Sequence, residues 1–262
     1  MGRGYIKEYR ENPTDELGGG TGTAARFTVQ FIGKMASRDY PYAVANETVA
    51  SAIGLVLGLP VAPGITDEIG GQPYFFSQEM RKYGDKQFGP GAGAVAMEKF
   101  VRQNQLLIHG AIVFDLFIAN NDRAFLPARR NLALDDDGNL FLYDHGNSCF
   151  YRPRESPKVV AGIVRLKTVE ASLAAMFDKG SEGNLYWEAL SDIKMTDHWL
   201  KRIQQIPDFM LESFVNMIPA AVNPPDEAER AALVEFLKKR RHYLREHILA
   251  DRAHFPNLGG PT

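Results

Sequence analysis

The chain has 262 residues, a formal net charge of −2 and a single cysteine. That length accommodates one large domain or two small lobes, and 45% hydrophobic with 24% charged residues is ordinary for a globular protein with a sizeable core. The near-neutral balance gives no general reason to expect nucleic acid or an anionic membrane as partner. Cys149 cannot close an internal disulfide, which fits a reducing compartment. Met1 to Tyr5 lacks a leader's apolar core, and the apolar stretch from Leu106 to Ala119 is interrupted by His109 and Asp115 and too short to span a bilayer. The expectation is a cytoplasmic protein with no membrane partner.

In chain order, residues 1–16 are polar and read as a flexible N-terminus. Leu17 to Thr23 is a glycine cluster, whose Gly19, Gly20 and Thr21 could cradle phosphate through backbone N–H groups or form a plain flexible turn. Phe27 to Ile32 is aromatic and β-branched enough for a strand. Val44 to Leu57 reads as a helix ending at Gly58, with Pro60 beyond it. Val61–Ile69 and Tyr74–Gln78 are strand candidates separated by Gly70-Gly71. Residues 17–80 therefore form a small mixed lobe. Residues 81–93, rich in glycine and charge, read as a linker or mobile loop. Residues 94–255 form a larger lobe: a helix from Ala94 to Ala119, with Asn104 or Gly110 as interruptions, a hairpin, then helices broken near Gly180, Gly183, Pro207 and Pro219. The last helix runs from Asp226 to about Ala250, acidic at its start and basic at its end, as the helix dipole favours. Its run at 238–241 reads as a solvated face.

The densest chemistry lies between Phe114 and Gly146. A helix delivers Asp122-Arg123 to a loop, Asn131 follows nine positions after Asp122, and a short strand ends on Asp144-His145-Gly146. Asp-Gly between two apolar runs is a hairpin signal, and such a hairpin brings Asn131 and Asp144 to one end of the ribbon. Phosphoryl transfer asks for one carboxylate to orient the acceptor hydroxyl, and an Asn and an Asp to hold metal on the phosphates. Asp122, Asn131 and Asp144 supply these in order. Each alone also suits a cap or a turn.

The segment from Phe114 to Gly146 resembles the HipA-like kinases, above all their compact branch, and more distantly the protein-kinase and phosphoinositide-3/4-kinase superfamily. Asn46-Glu47, Gly58-Leu59-Pro60-Val61, Phe76 to Met80 and Ile206-Pro207-Asp208 resemble further parts of the family. The resemblance implies a bilobal α+β fold with a small mixed N-lobe and a mainly helical C-lobe. It implies ATP between the lobes, with Gln78, Glu79 and Met80 at the adenine and Mg²⁺ on Asn131 and Asp144. It places Asp122 and Arg123 in the catalytic loop, Glu47 as partner of a phosphate-binding lysine, and a protein serine or threonine as acceptor.

The chain departs from the family pattern in three places. Gln30 stands where the family has that lysine, with Lys34 four residues on and on the same side of the strand if the strand passes Gly33. Ala124 stands where a His usually follows Asp-Arg. The spacing from Asp122 to Asn131 is longer than usual. Two rival readings follow: a pseudokinase that binds nucleotide or a regulatory protein partner without turnover, and a kinase acting on a small molecule or lipid. His109 reads as a core histidine, and His145 as a hydrogen-bonding member of its turn.

Overall fold

The computed structural model describes residues 8–9, 27–28, 31–78, 102–120, 123, 131–134, 140–150, 189–250, 253, 255 and 257–259. The glycine cluster, Gln30, Glu79, Met80, the 81–93 segment, Asp122 and Ala124 lie outside the described residues.

Two short strands, β1 (Glu8–Tyr9) and β2 (Phe27–Thr28), pair antiparallel. Strand β3 (Phe31–Met35) follows, then helix α1 (Ala43–Val56), β4 (Gly64–Ile69) and β5 (Gln72–Gln78). These three strands form an antiparallel sheet in the order β3-β5-β4. Gly70 and Gly71, at φ of 61° and 78°, make the turn between β4 and β5, a conformation glycine adopts without a Cβ penalty. Val61 is not in β4. It makes an isolated parallel bridge to Leu142, and Pro63, with no N–H to give a ladder, separates it from the strand.

Helix α1 is buried from Ala43 to Gly54 without interruption. A helix buried on every side must be enclosed by other elements, its polar Asn46, Glu47, Thr48 and Ser51 included, and this one lies between the sheet and helix α4 (Asp208–Asn216). Small residues permit the close approach: a Cβ on Gly54 would stand 2.5 Å from Val61 Cγ1. The helix stops at Leu57, with Gly58 beyond it at φ 71°.

Helix α2 (Gln105–Phe117) is the centre of the second half, buried from Ile108 onward. It packs on α3 (Ile193–Gln204) and α5 (Glu227–Ala250). Gly110 faces α3: its missing side chain leaves room for Trp199, whose ring would be 2.5 Å from a Cβ there. Strands β6 (Leu132–Leu134) and β7 (Leu140–Leu142) form the expected hairpin, in the register Leu132↔Leu142. Leu142 joins it to the first half, donating to Pro60 O at 2.8 Å and accepting from the Ala62 N–H at 3.1 Å.

Asp226 and Glu229 cap α5 reciprocally, each side chain accepting from the other's backbone N–H. The basic run is not a solvated face throughout. Arg240 and Arg241 are 1% and 8% exposed: Arg240 donates to Leu116 O at 2.7 Å, and Arg241 bonds Ile206 O and Asp208. Net charge along a helix does not reveal which arginines reach helix-end carbonyls in the core. Among the described residues no helix is long and apolar enough to cross a membrane.

Candidate active site

Strand β3 does not end at Gly33. It pairs with β5 through Met35, which puts Lys34 opposite Phe75 on the face toward α1. The Lys34 ammonium stands 2.6 Å from Glu47 Oε1 and 3.0 Å from Asp144 Oδ1. Glu47 thus has its lysine partner, supplied at position 34. Burial works against the Lys34 charge, but the Glu47 and Asp144 carboxylates outweigh it and raise the ammonium above its usual range. Burial likewise pushes the Glu47 carboxyl up; the Lys34 charge and the His145 ring oppose it and bring it down to about 2. Glu47 is 2% exposed and ionised, a combination that only a matched pair sustains.

Neighbouring groups of α1 fasten the turn after β7. Glu47 Oε1 accepts from the His145 backbone N–H at 3.0 Å, and Asn46 Nδ2 donates to Gly146 O at 2.9 Å. The His145 ring lies 3.5 Å from Glu47 Oε2 and packs edge-on against Phe114. The Asp-His-Gly turn is therefore tied to α1, where His145 was expected to bond within its own turn. Asn46, named in the sequence only as half of the family-like Asn46-Glu47 pair, was given no role of its own there.

Asn131 and Asp144 flank the hairpin at one end. The Tyr143 N–H donates to Asn131 O at 3.1 Å. Both residues have left-handed backbones, φ 45° and 58°. Asn and Asp tolerate that region better than other residues, and such outliers concentrate at functional sites. Arg123 is buried and turned inward. Its Nε donates to Asp115 Oδ2 at 2.7 Å, and its Nη1 donates to Asn131 O and to Tyr143 O. Arg123, expected with the catalytic group, makes these described contacts with Asp115 and the two hairpin carbonyls. Asp115, fully buried, was read as an interruption of an apolar run and as part of the family-like segment from Phe114, without a role of its own.

Lys34, Tyr40, Glu47, Asp144, Gly146 and Asn147 line an open cleft of about 340 Å³ between β3, α1 and the turn after β7. Gln78 ends β5 with its N–H on Pro63 O at 2.8 Å, and it is buried. His109 is a core histidine, 1% exposed: Nδ1 faces Gln105 O, and Nε2 accepts the backbone N–H groups of Ser191 and Asp192 at the start of α3.

Among solved structures, the fold is similar to the Helicobacter pylori proinflammatory kinase CtkA, with a TM-score of 0.55 and 14% identity over 93% of this chain and 97% of that one. HipA of Shewanella oneidensis MR-1, solved with HipB and its operator DNA, matches with a TM-score of 0.46 and 15% identity over 90% of this chain and 62% of its own. No protein-family model and no curated protein matches the sequence. The mixed α+β chain, with its small antiparallel sheet and several helices, shares the fold of that CtkA kinase.

Proposed function

We propose that this kinase-fold chain is an ATP- and Mg²⁺-dependent phosphotransferase whose acceptor is a serine or threonine hydroxyl of a protein. The observation that carries the reading is the Lys34 ammonium held between Glu47 and Asp144 at the mouth of the cleft. A lysine paired with a buried glutamate is the kinase device for the α/β-phosphates, and Lys34 removes the objection raised by Gln30. The donor set fits a hard cation. Asp144 is a carboxylate with its side chain 47% exposed, already beside one positive charge, and Asn131 stands at the same end of the hairpin. When bound, Mg²⁺ would neutralise phosphate charge. The chain's own part is to orient: Lys34 toward the phosphates, Gln78 and its neighbours toward adenine, and Asp122 toward the acceptor proton.

A non-catalytic reading, in which the chain binds nucleotide or a partner protein without turnover, is favoured by Ala124 after Arg123. Two measurements separate the readings. Mg-ATP should raise the melting temperature, and Asp144→Asn should remove the part that depends on Mg²⁺. Transfer of radiolabel from ATP to serine or threonine, in the chain itself or in added casein, should fall roughly 10²–10⁴-fold in Asp122→Asn while binding persists. Binding without transfer in the wild type would support the non-catalytic reading. No thermal shift at millimolar Mg-ATP would overturn the phosphotransferase and nucleotide-binding readings alike and leave partner binding alone.

A further inference from the structure

Four non-glycine residues with left-handed backbones lie in one framework: Ala119, Asn131, Asp144 and Cys149, at φ between 42° and 58°. Hydrogen bonds of these residues and their chain neighbours tie the framework together. The Cys149 N–H donates to Ile118 O at 2.7 Å, and Asn120 donates to Asp115 through its backbone N–H and through Nδ2. At the centre is the buried ion pair of Asp115 and Arg123, whose side chains are 1% and 0% exposed. Among the described residues the guanidinium makes three directed contacts: Nε to the carboxylate, and Nη1 to the carbonyls of Asn131 and Tyr143. Those carbonyls belong to Asn131 itself and to the peptide that enters Asp144.

We propose that the Asp115–Arg123 pair is a positioning clamp that orients Asn131 and Asp144 for a divalent cation on the nucleotide; the inference rests on the phosphotransferase reading above. The guanidinium holds the two peptide planes, one beside each strand at the open end of the hairpin, so that two residues in uncommon backbone conformations face one site together. Asp115 holds the guanidinium, and Asn120 holds Asp115. A planar fork can span three acceptors in this way; a lysine ammonium at the same place is a point donor on a flexible stem. The clamp does not touch the nucleotide. Its loss should weaken the metal and leave metal-free nucleotide binding alone.

The test is calorimetric and electron-paramagnetic titration of Mn²⁺ into the full chain saturated with a non-hydrolysable ATP analogue, beside titration of that analogue without metal. Arg123→Lys keeps the charge opposite Asp115, and Asp115→Asn/Arg123→Met removes both buried charges together, so at least one variant retains the fold. Far-UV circular dichroism and a cooperative urea transition verify this. Mn²⁺ affinity should fall ~10- to 100-fold, the range of supporting groups behind metal ligands, with analogue affinity within about twofold of wild type. A folded variant that binds Mn²⁺ as the wild type does overturns the clamp and leaves the phosphotransferase reading standing. A wild type that binds the analogue but no Mn²⁺ overturns both.

Discussion

Lys34 and Glu47 determine each other's charge. Replacing Lys34 with Met leaves the Glu47 carboxylate buried without its ammonium. Breaking a fully buried pair costs about 3–5 kcal/mol; with the Lys34 side chain 26% exposed, the loss should be smaller. Urea unfolding measures it, and a radiolabel assay should show transfer abolished. Gln30→Lys should leave both quantities near wild type, because Glu47 already has its cation. Increased transfer in Gln30→Lys would contradict the assignment of Lys34. The pH dependence follows from the same pair. The Glu47 pKa is depressed in the folded state, from 4.5 to about 2. Its contribution is complete above about pH 4.5 and is lost as pH falls toward 2, on the order of 3 kcal/mol in all. Stability measured from pH 6 to pH 2.5 should decline less steeply in Glu47→Gln, which starts lower.

At the level of elements, two devices join α2 to α3. His109 accepts two backbone N–H groups at Nε2 and so must be neutral there. Burial lowers its pKa below 6.5, against the opposing effects of Gln105 O and Asp192. Because the folded pKa is depressed, this contribution is present above about pH 6.5 and decreases as pH falls, when the unfolded chain takes up the proton first. Urea midpoints between pH 7.5 and 5.5 should show a smaller slope in His109→Gln than in wild type. Gly110 is the second device. The Trp199 ring that occupies its space is held by Nε1 donating to Leu106 O at 2.7 Å, so it cannot easily withdraw. Gly110→Ala should destabilise by about 1–3 kcal/mol through overpacking, despite alanine's better helix propensity. A gain in stability would show that the ring can move aside.

On the scale of the whole molecule, α5 connects distant parts of the chain. Arg240 donates to Leu116 O from 124 residues away and lies over the Phe236 ring, while Tyr42 at the start of α1 donates to Glu229. Arg240→Ala leaves a cavity and takes a donor from a buried carbonyl. The expected loss is about 2–5 kcal/mol by analogy with large core truncations, read from the urea midpoint. It should appear in probes of both halves together, because α5 bonds to the start of α1 and to the end of α2. Unfolding of one half alone would show that these long-range bonds do not couple them.

Local chemistry was enough for much of this. Gly58 marked the end of α1, Gly70-Gly71 the turn between β4 and β5, and Pro207 and Pro219 the limits of α4, because backbone restrictions act within a few residues. The Asp-Gly hairpin and the placement of Asn131 and Asp144 at one of its ends were also legible, since strand pairing across a short loop is a local matter. The identity of the lysine that meets Glu47 was not. It depended on whether β3 continues past Gly33, and that is decided by pairing with β5 more than forty residues later, where the Phe76 ring fills the space over the glycine. The inward turn of Arg240 and Arg241, and the capture of Asn131 and Tyr143 by the Asp115–Arg123 pair, have the same origin. A charged side chain is drawn into a core only where carbonyls and a counter-charge from other segments await it, and those segments meet only in the folded chain.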